Sequence, residues 1–216
     1  MTTRMSNVPN NLTVIRHPLV ARDLTILRNS GTNTIDFRAA LGRVATILAY
    51  SALKELPLKE AEIQTPITTT KGYILDTDII VVPILRAGLS LVDAIIDFVP
   101  DAKVGHLGMY RDEKTHEPVD YYSKLPDGLN NALVLLVDPM LATGGSADDA
   151  IGFLKKQGAD QIRFISLIAA PEGLKRIQNK YPDVSIITAS VDEKLNDDAF
   201  IVPGLGDAGD RYFGTL

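Results

Sequence analysis

Residues 133–151 read Leu-Val-Leu-Leu-Val-Asp-Pro-Met-Leu-Ala-Thr-Gly-Gly-Ser-Ala-Asp-Asp-Ala-Ile. The apolar run Leu133–Val137 stops at one acid, Asp138. A loop of small residues, Ala142-Thr143-Gly144-Gly145-Ser146, follows, and an amphipathic run then begins. That is the order of a buried strand, a tight loop and a helix start. Such a loop can turn several backbone N–H groups inward around an anion, and the helix N-terminus adds partial positive charge. Glycines let the backbone approach a ligand closely. The stretch reads as a phosphate cradle with a carboxylate at its rim. It is not the nucleotide P-loop, because no lysine follows Gly145. Nor is it a dinucleotide fingerprint, because G-x-G-x-x-G is absent after any predicted strand.

Outward from the cradle, strands and helices alternate. Apolar residues at Phe37, Ala40, Leu41, Val44, Ile47 and Leu48 give a helical face within Asp36–Leu53. Ile79–Leu85 reads as a buried strand with Pro83 near an end or bulge. Arg86-Ala87-Gly88 and a helical run, Leu89–Phe98, come next, then a short strand, Val104–Met109. Arg111–Asp127 is polar and reads as a long loop or a mobile hairpin, with the length of a lid. After the cradle come a helix, Ala147–Gln157, closed by Gly158, a strand, Ile162–Ile168, a helix, Glu172–Tyr181, and a strand, Val184–Ala189. Short connections between alternating strands and helices imply right-handed crossovers and a parallel sheet. Asp192–Leu216 breaks the rhythm, but Phe200, Ile201, Val202 and Leu205 suit a segment folded against a pocket. No linker or repeat divides the chain, so residues 1–216 are expected to form a single domain.

Composition narrows the class. The chain has 216 residues, 45% hydrophobic and 23% charged, enough for a real core. It has no cysteine, which excludes disulfides and thiolate metal sites and suits a reducing compartment. The net charge of −5 disfavours wholesale binding to nucleic acid or anionic membrane. No signal-peptide pattern opens the chain, and no apolar run reaches the roughly 18–20 residues of a membrane span. A cytoplasmic location is the expectation.

In an open parallel sheet, ligands sit at the carboxyl ends of strands near a switch in strand order. Three loops leave predicted strand ends: Leu85–Gly88, Gly108–Arg111 and Asp138–Ser146. Two carry an arginine, whose planar fork suits phosphate. Asp148 and Asp149 lie in a first helical turn, where acids favour the dipole, and read as structural. Together the loops offer two cations, an anion nest and a carboxylate, which fits a ligand with more than one phosphate group around a sugar.

Val137-Asp138-Pro139-Met140-Leu141-Ala142-Thr143-Gly144-Gly145-Ser146 resembles the phosphoribosyl-diphosphate (PRPP) motif of type I phosphoribosyltransferases. The usual second acid is Pro139 here, which resembles the uracil phosphoribosyltransferase branch. Val82–Gly88, Ala169-Ala170-Pro171-Glu172-Gly173 and Ile201–Asp210 agree in the right order, as does His17-Pro18-Leu19. The likeness covers about His17 to Thr215. It implies an α/β fold of the type I phosphoribosyltransferase kind: a central, mostly parallel sheet flanked by helices, with a mobile loop or hairpin and a C-terminal base-binding hood.

The resemblance also implies roles. Asp138 would hydrogen-bond the ribose hydroxyls of PRPP. Pro139, Met140, Leu141, Ala142, Thr143, Gly144, Gly145 and Ser146 would form the loop that holds the 5-phosphate, through backbone N–H groups and the two hydroxyls. Arg86 would bind pyrophosphate and Arg111 would reach PRPP from the hairpin. Ile201, Gly206, Asp207 and Ala208 would frame uracil, with Asp207 also near PRPP or its metal. Arg86, Arg111, Asp138 and Asp207 are the implied catalytic set. The implied cofactor is Mg2+, held mainly by PRPP oxygens and water rather than by a protein metal site. PRPP and uracil are the implied partners, with GTP as a candidate allosteric effector, a homodimer or higher homo-oligomer as the assembly, and neither nucleic acid nor membrane. Two departures stand out: Phe200 replaces the usual tyrosine, and Asp76 and Asp78 stand where relatives often carry lysines.

The implied reaction is uracil plus PRPP giving UMP and diphosphate. Nothing in the chain suggests a covalent nucleophile: cysteine is absent, and His17, His106 and His116 make no Ser–His pattern. A transferase for another nucleobase is the nearest alternative, which a nucleobase panel would decide. A PRPP- or nucleotide-sensing regulator of the same fold that binds nucleic acid is the other. The acidic balance and the intact Arg86, Arg111 and Asp138 set weigh against it.

Overall fold

The computed structural model describes residues 11–111 and 118–215, with the side chains of 109–111 and 118–121 outside that description. The chain runs β1 (Leu12–Val14), α1 (Pro18–Arg28), α2 (Thr34–Ala52), β2 (Leu58–Gln64), β3 (Thr69–Leu75), β4 (Asp78–Pro83) and α3 (Leu89–Phe98). It continues through β5 (Lys103–Val104), β6 (His106–Arg111), β7 (Pro118–Lys124), β8 (Ala132–Val137), β9 (Met140–Leu141), α4 (Gly145–Lys156) and β10 (Gln161–Ala169). It ends with α5 (Pro171–Lys180), β11 (Ser185–Val191), β12 (Lys194–Leu195), β13 (Ile201–Val202) and α6 (Ala208–Phe213).

The main sheet has the order β1-β11-β10-β8-β4-β5, with β9 extending the pairing of β10. Every pair in it is parallel. Strands covered on both faces need apolar residues on both, which is why β8 is continuously hydrophobic and buried at every position. Alternate residues sort by face. Ile79, Val81, Leu133, Leu135 and Val137 pack with α1, α2 and α3, whereas Ile80, Val82, Val134 and Leu136 pack with α4 and α5. From β4 the chain crosses to β5 on one side. From β8 it crosses to β10 on the other. The strand order therefore reverses between β4 and β8, and a crevice opens beyond their carboxyl ends.

Helix α1 starts at Pro18, with His17 Nδ1 accepting from Leu19 N–H at 3.2 Å. Helix α2 is capped by Asn33, whose side chain accepts from Asp36 N–H at 2.9 Å.

The strand expected over Val104–Met109 is two strands. The chain turns at Gly105, whose N–H donates to Val81 O at 2.9 Å and where a Cβ would lie 2.8 Å from Leu125 Cδ2. β5 joins the main sheet, and β6 leaves it to form an antiparallel hairpin with β7, bulged between Gly108 and Met109. The segment expected as a long loop or hairpin contains this β6–β7 pairing, and residues 112–117, His116 among them, lie outside the described residues. β2 and β3 form an antiparallel arm that the sequence reading passed over. Its residues are exposed on nearly every position, so no alternation betrays it. Among the described residues, no helix is long and apolar enough to cross a membrane.

Candidate active site

Asp138 is the first residue after β8. Its backbone N–H still donates to Ile165 O at 3.1 Å, so the sheet fixes it in place. Its half-buried carboxylate accepts from Met140 N–H at 3.3 Å. Burial at the strand end pushes this carboxyl up to about 7. The Met140 N–H opposes that rise, and the Asp207 charge adds to it.

The chain then locks onto β10. Pro139 O accepts from Leu167 N–H at 3.0 Å and from Ile168 N–H at 3.2 Å, and Leu141 O accepts from Ala170 N–H at 2.8 Å. Gly144 adopts φ +77 and is the N-cap of α4, with no side chain to close the helix end. Thr143 Oγ1 accepts from Gly145 N–H at 3.3 Å, and Thr143 and Ser146 are exposed. The loop lies hard against α5: a Cβ on Gly173 would sit 2.4 Å from Ala142 O, so only glycine admits this approach. Behind the loop, Asp148 is buried and accepts from Arg176, Lys180 and Tyr181. Burial alone would raise its carboxyl, but Lys180, Arg176 and Tyr181 hold it below the usual range. The expectation that Asp148 is structural agrees with this placement.

The loop after β4 abuts the loop after β8. A Cβ on Gly88 would fall 2.4 Å from Val137 O and 2.6 Å from Ile84 N. Arg86 projects from this turn with its side chain 67% exposed, 3.6 Å from the Asp210 carboxylate. Exposure leaves its guanidinium available to an anion. The Arg111 side chain lies outside the described residues.

The tail closes the crevice. β12 and β13 pair antiparallel, and Asn196 shapes the bend between them by accepting from Asp198 N–H (3.1 Å) and Phe200 N–H (2.8 Å). Asp207 caps α6, accepting from Asp210 N–H at 2.8 Å. A cleft of about 290 Å³ lies between the two strand-end loops and the tail. Ala87, Asp138 and Met140 line one part of it, and residues 198–200 and 206–209 line the rest.

Thus the structure brings Asp138, Met140, Gly206, Asp207 and Ala208 together around one cleft, with Arg86 beside it. It places others behind the surface. Ile201 is 4% exposed and packs in the core, Leu141 is 1% exposed, and Pro139 is buried. These three support the walls. Ala87, Asp198 and Ala199 are cleft residues that sequence reasoning missed. Ala199 has φ +62, a bend for which the preceding Asn-Asp-Asp run was the available signal. Among the described residues, no group of three or more His, Cys, Asp or Glu could hold a metal.

The comparisons with known proteins bear on this geometry. The family model described as uracil phosphoribosyltransferase matches residues 14–215. A uracil phosphoribosyltransferase of Streptococcus salivarius is 54% identical over 203 residues, covering 94% of this chain and 97% of its own length. That of Salinibacter ruber is 52% identical over 205 residues, covering 95% and 98%. The solved AQ2163 protein from Aquifex aeolicus superposes with a TM-score of 0.87 at 42% identity, covering 94% of this chain and 97% of that one. A hypoxanthine-guanine phosphoribosyltransferase from Bacillus anthracis, at TM-score 0.50 and 13% identity over 74% of this chain and 79% of its own, shares the fold alone. The architecture is that of type I phosphoribosyltransferases, and with a family model spanning nearly every described residue the chain belongs to the uracil phosphoribosyltransferase family.

Proposed function

We propose that the chain works as one phosphoribosyltransferase domain, joining uracil N1 to ribose C1 of PRPP and releasing diphosphate. The carrying observation is the cleft itself, in which the carboxylate that follows β8 meets the 198–209 tail, with the Thr143–Ser146 turn a few residues further along the same chain segment. In this reading the 5-phosphate docks on the Thr143–Ser146 turn, at the start of α4, where the N-cap residue is Gly144 and has no side chain of its own to occupy the helix end. Asp138 accepts from the ribose hydroxyls. Arg86 steadies the departing diphosphate electrostatically, and Arg111 joins it from the β6–β7 hairpin. Bound Mg2+, held mainly by PRPP oxygens and water, would add charge neutralisation on the diphosphate, and the cleft acids Asp138 and Asp207 would help to hold it.

Bond breaking at C1 builds oxocarbenium character, as at a glycosidic centre, so no covalent nucleophile is required. The tail holds uracil in line with C1, which lowers the barrier by orientation. Uracil offers two carbonyl acceptors and one N3–H donor, an edge that backbone groups in the 201–208 turn can match. Cytosine places a donor where uracil has O4, and a mismatched buried donor pair strongly discriminates against it. A nucleobase panel with PRPP and Mg2+, with and without GTP, tests the reading. UMP from uracil and no CMP from cytosine is expected, and no UMP from uracil would refute it. A GTP effect on rate in the same panel would establish the allosteric partner.

A further inference from the structure

Gly206–Ala208 is the segment that would frame uracil. Two residues upstream, Gly204 is held at both ends of its peptide by a buried ionic knot. Arg28, the last residue of α1, donates from Nη1 to Asp192 Oδ2 (2.7 Å) and to Gly204 O (2.7 Å). It also donates from Nη2 to Asp192 Oδ1 (2.6 Å) and to Ser190 Oγ (3.2 Å). Asp192 Oδ2 accepts from Gly204 N–H at 2.9 Å, and Ser190 Oγ donates to Asp192 Oδ1 at 2.8 Å. The Asp192 side chain is only 2% exposed and that of Arg28 is 25% exposed. Burial alone would raise the Asp192 carboxyl, yet Arg28, Ser190 and the Gly204 N–H hold it below the usual range, so it is ionised when the knot is closed.

We infer that Arg28 and Asp192 are positioning residues for the nucleobase: they clamp the backbone of Gly204 and thereby set where the Gly206–Ala208 wall stands relative to Asp138. Neither side chain lines the cleft. The bidentate fork fixes direction as well as distance, which a single point charge cannot do. Gly204 itself has no slack. It adopts φ +64, and a Cβ there would lie 2.0 Å from Ile201 O. A second tie works from the far side of the turn: Arg211 donates to Leu205 O at 2.6 Å and to Asn29 O at 2.7 Å, and also to Leu27 O. The end of α1 therefore holds the base wall from both sides. The 5-phosphate turn has its own anchor on β10 and α5, so loss of the clamp should act on one substrate and spare the other.

The inference rests on the uracil reading, and the test separates the two. Michaelis constants for uracil and for PRPP are measured separately, with melting temperature, for Arg28→Lys, Arg28→Gln and Asp192→Asn. A misplacement near 1 Å can cost about 100-fold, so KM for uracil should rise at least about tenfold in Arg28→Gln and Asp192→Asn, while KM for PRPP stays within about twofold. Arg28→Lys should fall between, because an ammonium can reach Asp192 or Gly204 O but cannot reproduce the fork. Ser190→Ala, which trims one neutral partner, supplies the same ratio if a charge-removing variant fails to fold. Equal rises in both constants, or a lower melting temperature with both unchanged, would overturn the clamp. Absence of UMP formation by the unaltered protein would instead overturn the uracil reading.

Discussion

Asp138→Asn separates the cost of the site from its use. The carboxyl is pushed up to about 7 in the folded protein, mainly by burial, against an ordinary value of 3.8. Between those values the folded chain holds a proton that the unfolded chain has lost. Stability from this group is therefore present at low pH, falls as pH rises toward 7, and levels off above it. At about pH 5.5, some 1.5 units below the folded value, the protonated acid is worth about 2 kcal/mol relative to about pH 8.5, at 1.36 kcal/mol per unit. Partial solvent access at the cleft lowers this toward about 1 kcal/mol. Asparagine keeps the size and an oxygen for the Met140 N–H but never ionises. For a chain of this length, 1 kcal/mol moves the melting point by about 2–4 °C. The variant should therefore gain on the unaltered protein by roughly 2–8 °C between the two pH values, while turnover collapses at both. Melting curves across that range read the effect, and the difference between the two proteins cancels every other titrating group. A melting-point difference that does not change with pH would refute the argument that burial keeps the Asp138 carboxyl protonated up to about pH 7.

Three further outcomes follow from the packing. Gly173→Ala places a Cβ 2.4 Å from Ala142 O; the overpacking should cost about 1–3 kcal/mol and raise KM for PRPP more than that for uracil, as steady-state kinetics and melting would show. Arg86→Ala removes a side chain 67% exposed, so stability should hold within about 0.5 kcal/mol while turnover drops by at least about tenfold, the signature of lost charge stabilisation. Asp148→Asn leaves Arg176 and Lys180 facing a neutral amide. Because the carboxyl is held below its ordinary value, the stability it supplies is present near neutrality and lost as pH falls through the folded value, so the variant should melt lower at pH 7 and converge with the unaltered protein in acid.

What the sequence revealed follows from which residues carry local signals. Leu133–Val137 and Ile79–Pro83 were legible because strands buried on both faces must be apolar throughout. The end of α4 was legible because Gly158, at φ +89, is a position that side chains rarely occupy. The β2–β3 arm was not, since neither face is buried and its pairing leaves no alternation. Asp207 read as a ligand residue, but its cap on α6 was hidden in a glycine-rich tail. The clamp was least legible of all: Arg28 and Asp192 stand 164 positions apart, and each alone looks like an ordinary charged residue. A bond between distant side chains leaves no periodicity for a linear reading to find.

The four blocks that carry the resemblance are separate in sequence, yet each touches the next in space. Gly88 of the first presses on Val137 O at the start of the second. Ala142 of the second lies against Gly173 of the third. Glu172 of the third accepts from Leu195 N–H at 3.1 Å, at the root of the tail that forms the fourth. A Cβ on Gly209 of the fourth would come 3.5 Å from Ala87 Cβ, back in the first. The contacts link the four blocks in a ring, and two of the four joints, at Gly88 and Gly173, depend on a glycine that brings backbones together. The ring explains why the carboxylate, the phosphate turn and the base wall can hold a fixed spacing although no single element carries more than one of them. It also places Arg28 and Asp192 where they have most effect, outside the ring but fastened to its last segment.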